Sequence, residues 1–285
     1  MEETILRLEP AIRLTAFLGV FLAIALWEVI VPRRVLSVAK PKRWLNNIGI
    51  LALNTVLLRL IFPAAAVGLA VAAEQRGWGV LNQTNLPVWF EIACAVIVLD
   101  LAIYLQHVMF HAVPLFWRIH RVHHADLDFD VTTGARFHPM EILLSMIIKL
   151  AAVTVLGPPA VAVLVFEILL NATSMFNHGN IRLPQVFDRW LRRLIVTPDM
   201  HRVHHSVLVH ETNSNFGFNL SWWDRLFGTY RDQPEAGHAR MVIGIHEFRN
   251  EREVDRIFGM LWLPFRGKVG SYTVNRRRTK RVSAR

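Results

Sequence analysis

The chain has 285 residues, of which 53% are hydrophobic and only 19% charged, against roughly 25% charged in an ordinary soluble domain. With a mean hydropathy of +0.32 and apolar residues gathered in blocks, the composition excludes an ordinary soluble globule and indicates an integral membrane protein. The single cysteine, Cys94, excludes disulfide scaffolds and cysteine-zinc sites, so any metal must use nitrogen or oxygen ligands.

The first apolar block, about Ala11 to Val31, is long enough to span a hydrocarbon core of ~30 Å. It has no small-residue cleavage site and reads as an anchor. Residues 32–46 then carry Arg33, Arg34, Lys40, Lys42 and Arg43 with no acid. A second block runs from about Ile48 to Ala73, interrupted by Arg59 and Pro63, and a third from about Val88 to Phe110. For Glu28 and Arg59, inside these blocks, snorkelling towards a helix end is expected. Ile142 to Phe176 is broken by Gly157, Pro158 and Pro159, which predicts a helical hairpin. The remainder, Arg182 to Arg285, has no further run of spanning length and reads as a polar cap with a basic tail carrying Arg276, Arg277, Arg278, Lys280, Arg281 and Arg285.

The net charge of +10 would suggest nucleic acid in a soluble protein. Here the cations flank apolar blocks, as the positive-inside rule requires, and nucleic acid is not expected as a partner. A cytoplasmic 32–46 loop sends the second block out and brings the third back. Everything after about His107 then lies on the cytoplasmic side, the hairpin excepted. The expected fold is an all-α integral membrane protein: a bundle of about four to five membrane helices, including the hairpin, under a cytosolic helical cap. The expected divisions are N-terminal membrane helices over 1–94, a catalytic region over 95–250 and a basic cytoplasmic tail over 251–285.

Nine of the thirteen histidines fall within 107–124 and 201–210. His107 and His111 are four residues apart, and the pentapeptide HRVHH occurs twice, as His120/His123/His124 and His201/His204/His205. On a helix, residues i and i+4 share a face, so His107 and His111 converge. In HxxHH the first and last histidines share a face while the middle one diverges, and such a fan suits two ions ~3.5–4 Å apart better than one. Eight imidazoles exceed the four positions of a tetrahedral zinc, and imidazole suits iron as well as zinc. An isolated HxxxH pair could be interfacial polar groups, but three boxes on one membrane side predict metal ligation. No HExxH is present to supply a zinc protease's base.

These boxes, in this order and on one membrane side, resemble those of the fatty acid hydroxylase and sterol desaturase superfamily of membrane di-iron oxygenases. Neighbouring segments are similar too: Thr133-Gly-Ala-Arg-Phe-His-Pro-Met-Glu141, Phe176-Asn-His-Gly-Asn180, Thr197-Pro-Asp-Met200, Asn215-Phe-Gly and Trp223-Asp-Arg-Leu-Phe-Gly-Thr-Tyr230. The resemblance covers roughly residues 95–250. It implies a cap that holds two iron ions on His107, His111, His120, His123, His124, His201, His204 and His205, with His178 as a ninth ligand. It also implies oxygen-dependent hydroxylation or desaturation of a lipid, with electrons from outside. Ser174 stands where some members place a further histidine.

His138 also resembles a family position, with two readings left open, a further metal ligand or, since Pro139 follows it, a helix start. His210, His238 and His246 lack box spacing and read as surface or cap residues, His210 being near enough to the third box to support it. Asp199, Asp224 and Glu141 are candidates to accept the outer N–H of a ligating imidazole, or are capping residues. Trp222 and Trp223 read as interfacial or core aromatics. The chain has no GxGxxG fingerprint and no haem or iron-sulfur motif. The expected partners are therefore a lipid substrate and a separate donor, a ferredoxin or cytochrome with its reductase, attracted by the basic surface. Two other readings of the same histidines stay open: a zinc-dependent membrane hydrolase or isomerase, and a metal-binding or transport protein. Dependence on oxygen and reductant separates the first reading from both, and a transporter places its ligands near the bilayer midplane.

Overall fold

A computed structural model describes residues 2–274. Among them there are helices and isolated bridges but no strands. In chain order the helices are α1 (Glu2–Arg7), α2 (Glu9–Ile30), α3 (Lys40–Ile61), α4 (Ala65–Arg76), α5 (Val88–Ala112), α6 (Pro114–His124), α7 (Pro139–Leu156), α8 (Ala160–Asn177), α9 (Gln185–Leu191), α10 (Pro198–His204), α11 (Val209–Thr212), α12 (Trp222–Leu226), α13 (Gly237–Arg240), α14 (Glu251–Val254) and α15 (Ile257–Trp262). Five segments are long and apolar enough to cross a membrane: 9–30, 40–83, 88–112, 139–156 and 160–177. The protein is a multi-pass membrane protein.

Local sequence sets the ends of these helices. Pro41, Pro114, Pro139 and Pro198 stand in first turns, where a missing N–H costs nothing. Pro63 ends α3, so the second apolar block is two helices rather than one. The hairpin turns at Gly157, whose φ of +62° favours glycine, before Pro158 and Pro159. Gly79, with φ +92°, packs against this turn so closely that a Cβ on it would lie 2.3 Å from Gly157 N. Val80 N donates to Val155 O beside it. α4, α5, α7 and α8 share the membrane core of Ala66, Ala70, Leu99, Ile103, Val153, Val163 and Phe166.

Some charged residues inside the spanning segments are paired. Glu167 is buried between Arg13 of α2 and Lys149 of α7, at 2.6 Å from each. Glu28 departs from the snorkelling expectation. It is buried and accepts from Val131 N and Asn180 N, both at 2.7 Å, so α2 is tied to the loops around the histidines. Arg59 is exposed in the last turn of α3.

The cap core joins Trp117 and Val122 of α6 to Ile245, Val254, Met260, Leu263 and Tyr272. Residues 251–274 are therefore part of the cap and not the start of a tail. Their sequence is basic but retains apolar residues at intervals, and these bury: Tyr272 is 1% exposed and Val274 N donates to His111 O. The arginines and lysine expected in the basic tail, Arg276 to Arg285, lie outside the described residues.

Candidate metal centre

The first box lies in the last two turns of α5, and Pro114 starts α6 at once, turning the chain so that the second box faces the first. Thr197 caps α10 by accepting from Met200 N, and α10 presents the third box. His178 is the C-cap of α8. Each of these nine imidazoles is at most 2% exposed.

The nine fall into two groups, each with one ring nitrogen per residue within 4.8 Å of the others. One holds His107, His111, His120, His124 and His204, and the other His123, His178, His201 and His205. Each HRVHH box is split between them. His120 and His124 share a face and go to the first group while His123 goes to the second, as helical spacing predicts. In α10 the division is reversed: His201 and His205 join the second group and His204 the first. The groups adjoin, with the rings of His124 and His205 stacked at 4.6 Å between centroids.

The outer nitrogens fix the tautomers. Nδ1 of His107 lies 2.7 Å from Phe216 O, that of His204 2.7 Å from Ser214 O, that of His178 2.7 Å from Ser174 O and that of His123 3.3 Å from Arg136 O. A carbonyl only accepts, so each of these Nδ1 atoms carries the proton. His120 Nδ1 faces Glu141 Oε1 at 2.6 Å. His111 Nδ1 faces Asn213 Oδ1 at 3.1 Å, and the Asn213 amide is oriented by its own bond to Tyr272 O.

For the four imidazoles held by carbonyls the inner nitrogens are then bare lone pairs. Nε2 of His107 is 3.1 Å from that of His120 and 3.0 Å from that of His204. Nε2 of His178 is 3.1 to 3.2 Å from those of His123, His201 and His205. Between His107 and His204, and between His178 and His123, no proton is left to share, and such contacts repel unless a cation lies between them. Neighbouring ligands at right angles on bonds of ~2.1 Å stand ~3.0 Å apart, so the donor set fits a metal in each group. Burial pushes the pKa of His120 down to about 3 and that of His178 to about 4, and drives His123, His124, His201, His204 and His205 well below the ordinary range. The rings are neutral at neutral pH, the state a metal requires.

Of the carboxylates considered from sequence, Glu141 meets an imidazole directly. Asp224 acts one step back, accepting from Phe216 N at 2.7 Å and Gly217 N at 2.9 Å and so holding the loop whose carbonyl meets His107. Asp199 pairs instead with Arg33 and Arg202, with His238 3.5 Å away. His138 is outside both groups and caps α7, accepting from Met140 N. His210 is also outside both. Trp222 is exposed, whereas Trp223 is buried and donates to Asp100.

Sequence reading passed over two supports. Asp100, alone in the apolar run of α5, accepts from Asn219 N, Leu220 N and Trp223 Nε1 and ties the 216–224 loop to the helix bearing His107. Asp126, Asp128 and Asp130 follow the second box on alternate residues. Asp126 and Asp130 bind Arg43 at 2.7 and 2.5 Å, and Asp128 accepts from Ser37 N and Val38 N. Burial alone would raise the pKa of Asp126, but Arg43 and Arg136 outweigh it and hold the carboxyl below its usual range. The signal for both was an acid where hydrophobicity or a solvated loop was expected.

Comparison with known proteins gives a consistent set of relatives. The fatty acid hydroxylase family model matches residues 92–229. An ornithine lipid hydroxylase of Rhizobium tropici is 28% identical over 157 residues, 55% of this chain and 46% of that protein. The human alkylglycerol monooxygenase is 26% identical over 59% of this chain and 36% of its own length. Methylsterol monooxygenase 2-2 of Arabidopsis thaliana is 25% identical over 58% and 61% respectively. The chain thus spans less than two thirds of each of these relatives. No solved structure matches significantly.

Proposed function

We propose that this chain, whose residues 92–229 match the fatty acid hydroxylase family model, is a member of that superfamily and a membrane-bound di-iron oxygenase that hydroxylates or desaturates a lipid. The observation that carries the reading is the pair of adjacent buried groups, five and four imidazoles, whose ring nitrogens converge. His107, His111, His120, His124 and His204 would hold one iron, and His123, His178, His201 and His205 the other. When bound, the two ions supply activation of O₂ for attack on an unactivated C–H bond.

The chain's own contributions are placement and exclusion. Phe216 O, Ser214 O, Ser174 O and Glu141 hold the protons of their imidazoles on the outer nitrogen and leave the inner one free to ligate. Burial of every ligand keeps bulk water from the reacting bond. Hydroxylation consumes O₂, two electrons and two protons, and yields the alcohol and one water; desaturation consumes the same and yields two waters. The electrons come from a separate ferredoxin or cytochrome with its reductase, since the chain has no fingerprint for a redox cofactor of its own. A cytoplasmic location of the centre is supported by the basic 32–46 segment. The substrate approaches from the bilayer between α5 and the α7–α8 hairpin. Lipid is favoured over a soluble substrate by the spanning segments and by the lipid hydroxylase and monooxygenase names of the relatives.

The test is an incubation of the membrane-embedded protein with a lipid panel, reductant and ¹⁸O₂. The expected result is a lipid that has gained one ¹⁸O atom or lost two hydrogens, only with both O₂ and reductant. Turnover without either would move the assignment to a zinc hydrolase or isomerase.

A further inference from the structure

We propose that His210, Glu211 and Glu235 form a separate divalent-cation site at the surface of the cap, of a composition suited to Zn²⁺. One nitrogen and two carboxylate oxygens lie within 4.8 Å of one another, and none of the three residues belongs to the histidine centre. An imidazole with two carboxylates is a donor set that zinc accepts, and three protein ligands leave a position for water.

One atom in this cluster lacks a partner that ordinary packing would provide. Glu211 is fully buried, yet its Oε2 has no hydrogen-bond partner; Oε1 accepts from Glu235 N at 2.6 Å. His210 Nε2 faces Glu235 Oε1 at 2.6 Å. A buried carboxylate oxygen without a partner is costly and rare. A cation among the three would satisfy Glu211 Oε2. Glu235, with its side chain 60% exposed, leaves the way in open from solvent.

The position matters for the histidine centre. His210 and Glu211 lie on α11, and the residues that follow orient two imidazoles of the first group: Asn213 Oδ1 faces His111 and Ser214 O faces His204. Ser214 Oγ donates back to Glu211 O at 2.6 Å. A cation here clamps α11 to the turn at Glu235 and stiffens the segment that supplies those acceptors.

The experiment is calorimetric titration of Zn²⁺ into the intact detergent-purified chain, with the metal already held by the histidine centre counted beforehand by elemental analysis. Wild type is expected to take up one further equivalent, with affinity reduced by about tenfold or more in both Glu235→Gln and His210→Ala. Amide exchange over 209–214 should slow on adding Zn²⁺ in wild type and not in the variants. Both substitutions lie at partly exposed side chains, and circular dichroism checks that the fold is kept. Absence of a further equivalent in wild type, or wild-type affinity retained in both variants, overturns the proposal. Neither outcome depends on whether the histidine centre is an oxygenase.

Discussion

Glu141 Oε1 lies 2.6 Å from His120 Nδ1, and both residues are at most 2% exposed. Glu141 stands in the first turn of α7 and His120 near the end of α6, so this contact joins the hairpin to the second histidine box. Among the described residues it is the one place where a carboxyl group, rather than a carbonyl or amide oxygen, meets the outer nitrogen of a box imidazole.

Removing that carboxylate should loosen the metal without dismantling the helices. Glu141→Ala is expected to lower metal affinity roughly 10- to 100-fold, the usual consequence of losing an outer partner. Glu141→Gln keeps an acceptor oxygen and should lie between wild type and alanine. Elemental analysis after graded chelator treatment measures the order. Equal retention in all three proteins would show that Glu141 does not position His120.

His178 comes from α8 and joins the second group alone from that helix. His178→Ala should reduce tightly held metal from about two ions per chain to about one, the second group being left with three imidazoles. His124→Ala should weaken the first group instead. Metal counts that fall equally and completely in both variants, with folding preserved, would show the nine residues to be a single site.

Arg43 is fully buried between Asp126 and Asp130. Arg43→Ala leaves two buried carboxylates with their principal cation gone, a change that typically costs about 3–5 kcal/mol. The expected readout is a large drop in thermal midpoint, followed by tryptophan fluorescence. A midpoint within a degree or two of wild type would contradict the network's structural role.

The metal-stripped protein should lose stability as pH falls below about 6.5. The buried histidines have folded pKa values below the unfolded value of ~6.5, about 3 for His120 and about 4 for His178. Between those limits the unfolded chain binds more protons than the folded one, so stability rises with pH. Burial raises Asp224 and Asp255 to about 6, and these two act in the opposite direction over part of the window. The seven histidines of the two groups that lie outside the spanning segments outnumber them, which sets the net sign. Midpoints measured from pH 4 to 7 on the stripped protein check this; a flat or falling profile would contradict it.

The histidine arrangement was largely legible because helical periodicity acts on residue identity alone. The alternate destinations of His123 and His124 follow from an angle of 100° per residue. The hairpin was legible for a similar reason, since Gly157-Pro158-Pro159 cannot continue a helix. The acceptors of the outer nitrogens were not, because four of them are backbone carbonyls and a carbonyl belongs to every residue. The division of the second block at Pro63 was visible as an interruption, but whether a proline kinks or ends a helix depends on what packs around it. Burial of Val254, Met260 and Tyr272 was hidden by the arginines among them, which made composition a poor guide to a segment whose apolar residues are widely spaced.

The segment matched to the fatty acid hydroxylase family, 92–229, does not carry its own shape. Arg43 grips Asp126 and Asp130, Glu28 holds Val131 and Asn180, Arg33 meets Asp199, and Asn54 reaches Phe137 O. Each of these bonds crosses from residues before 60 to a loop beside a histidine box. Transplanting residues 92–229 of this chain into a relative would therefore sever the clamps that keep those segments in register. A working chimaera needs the matching α2–α3 connection exchanged along with it.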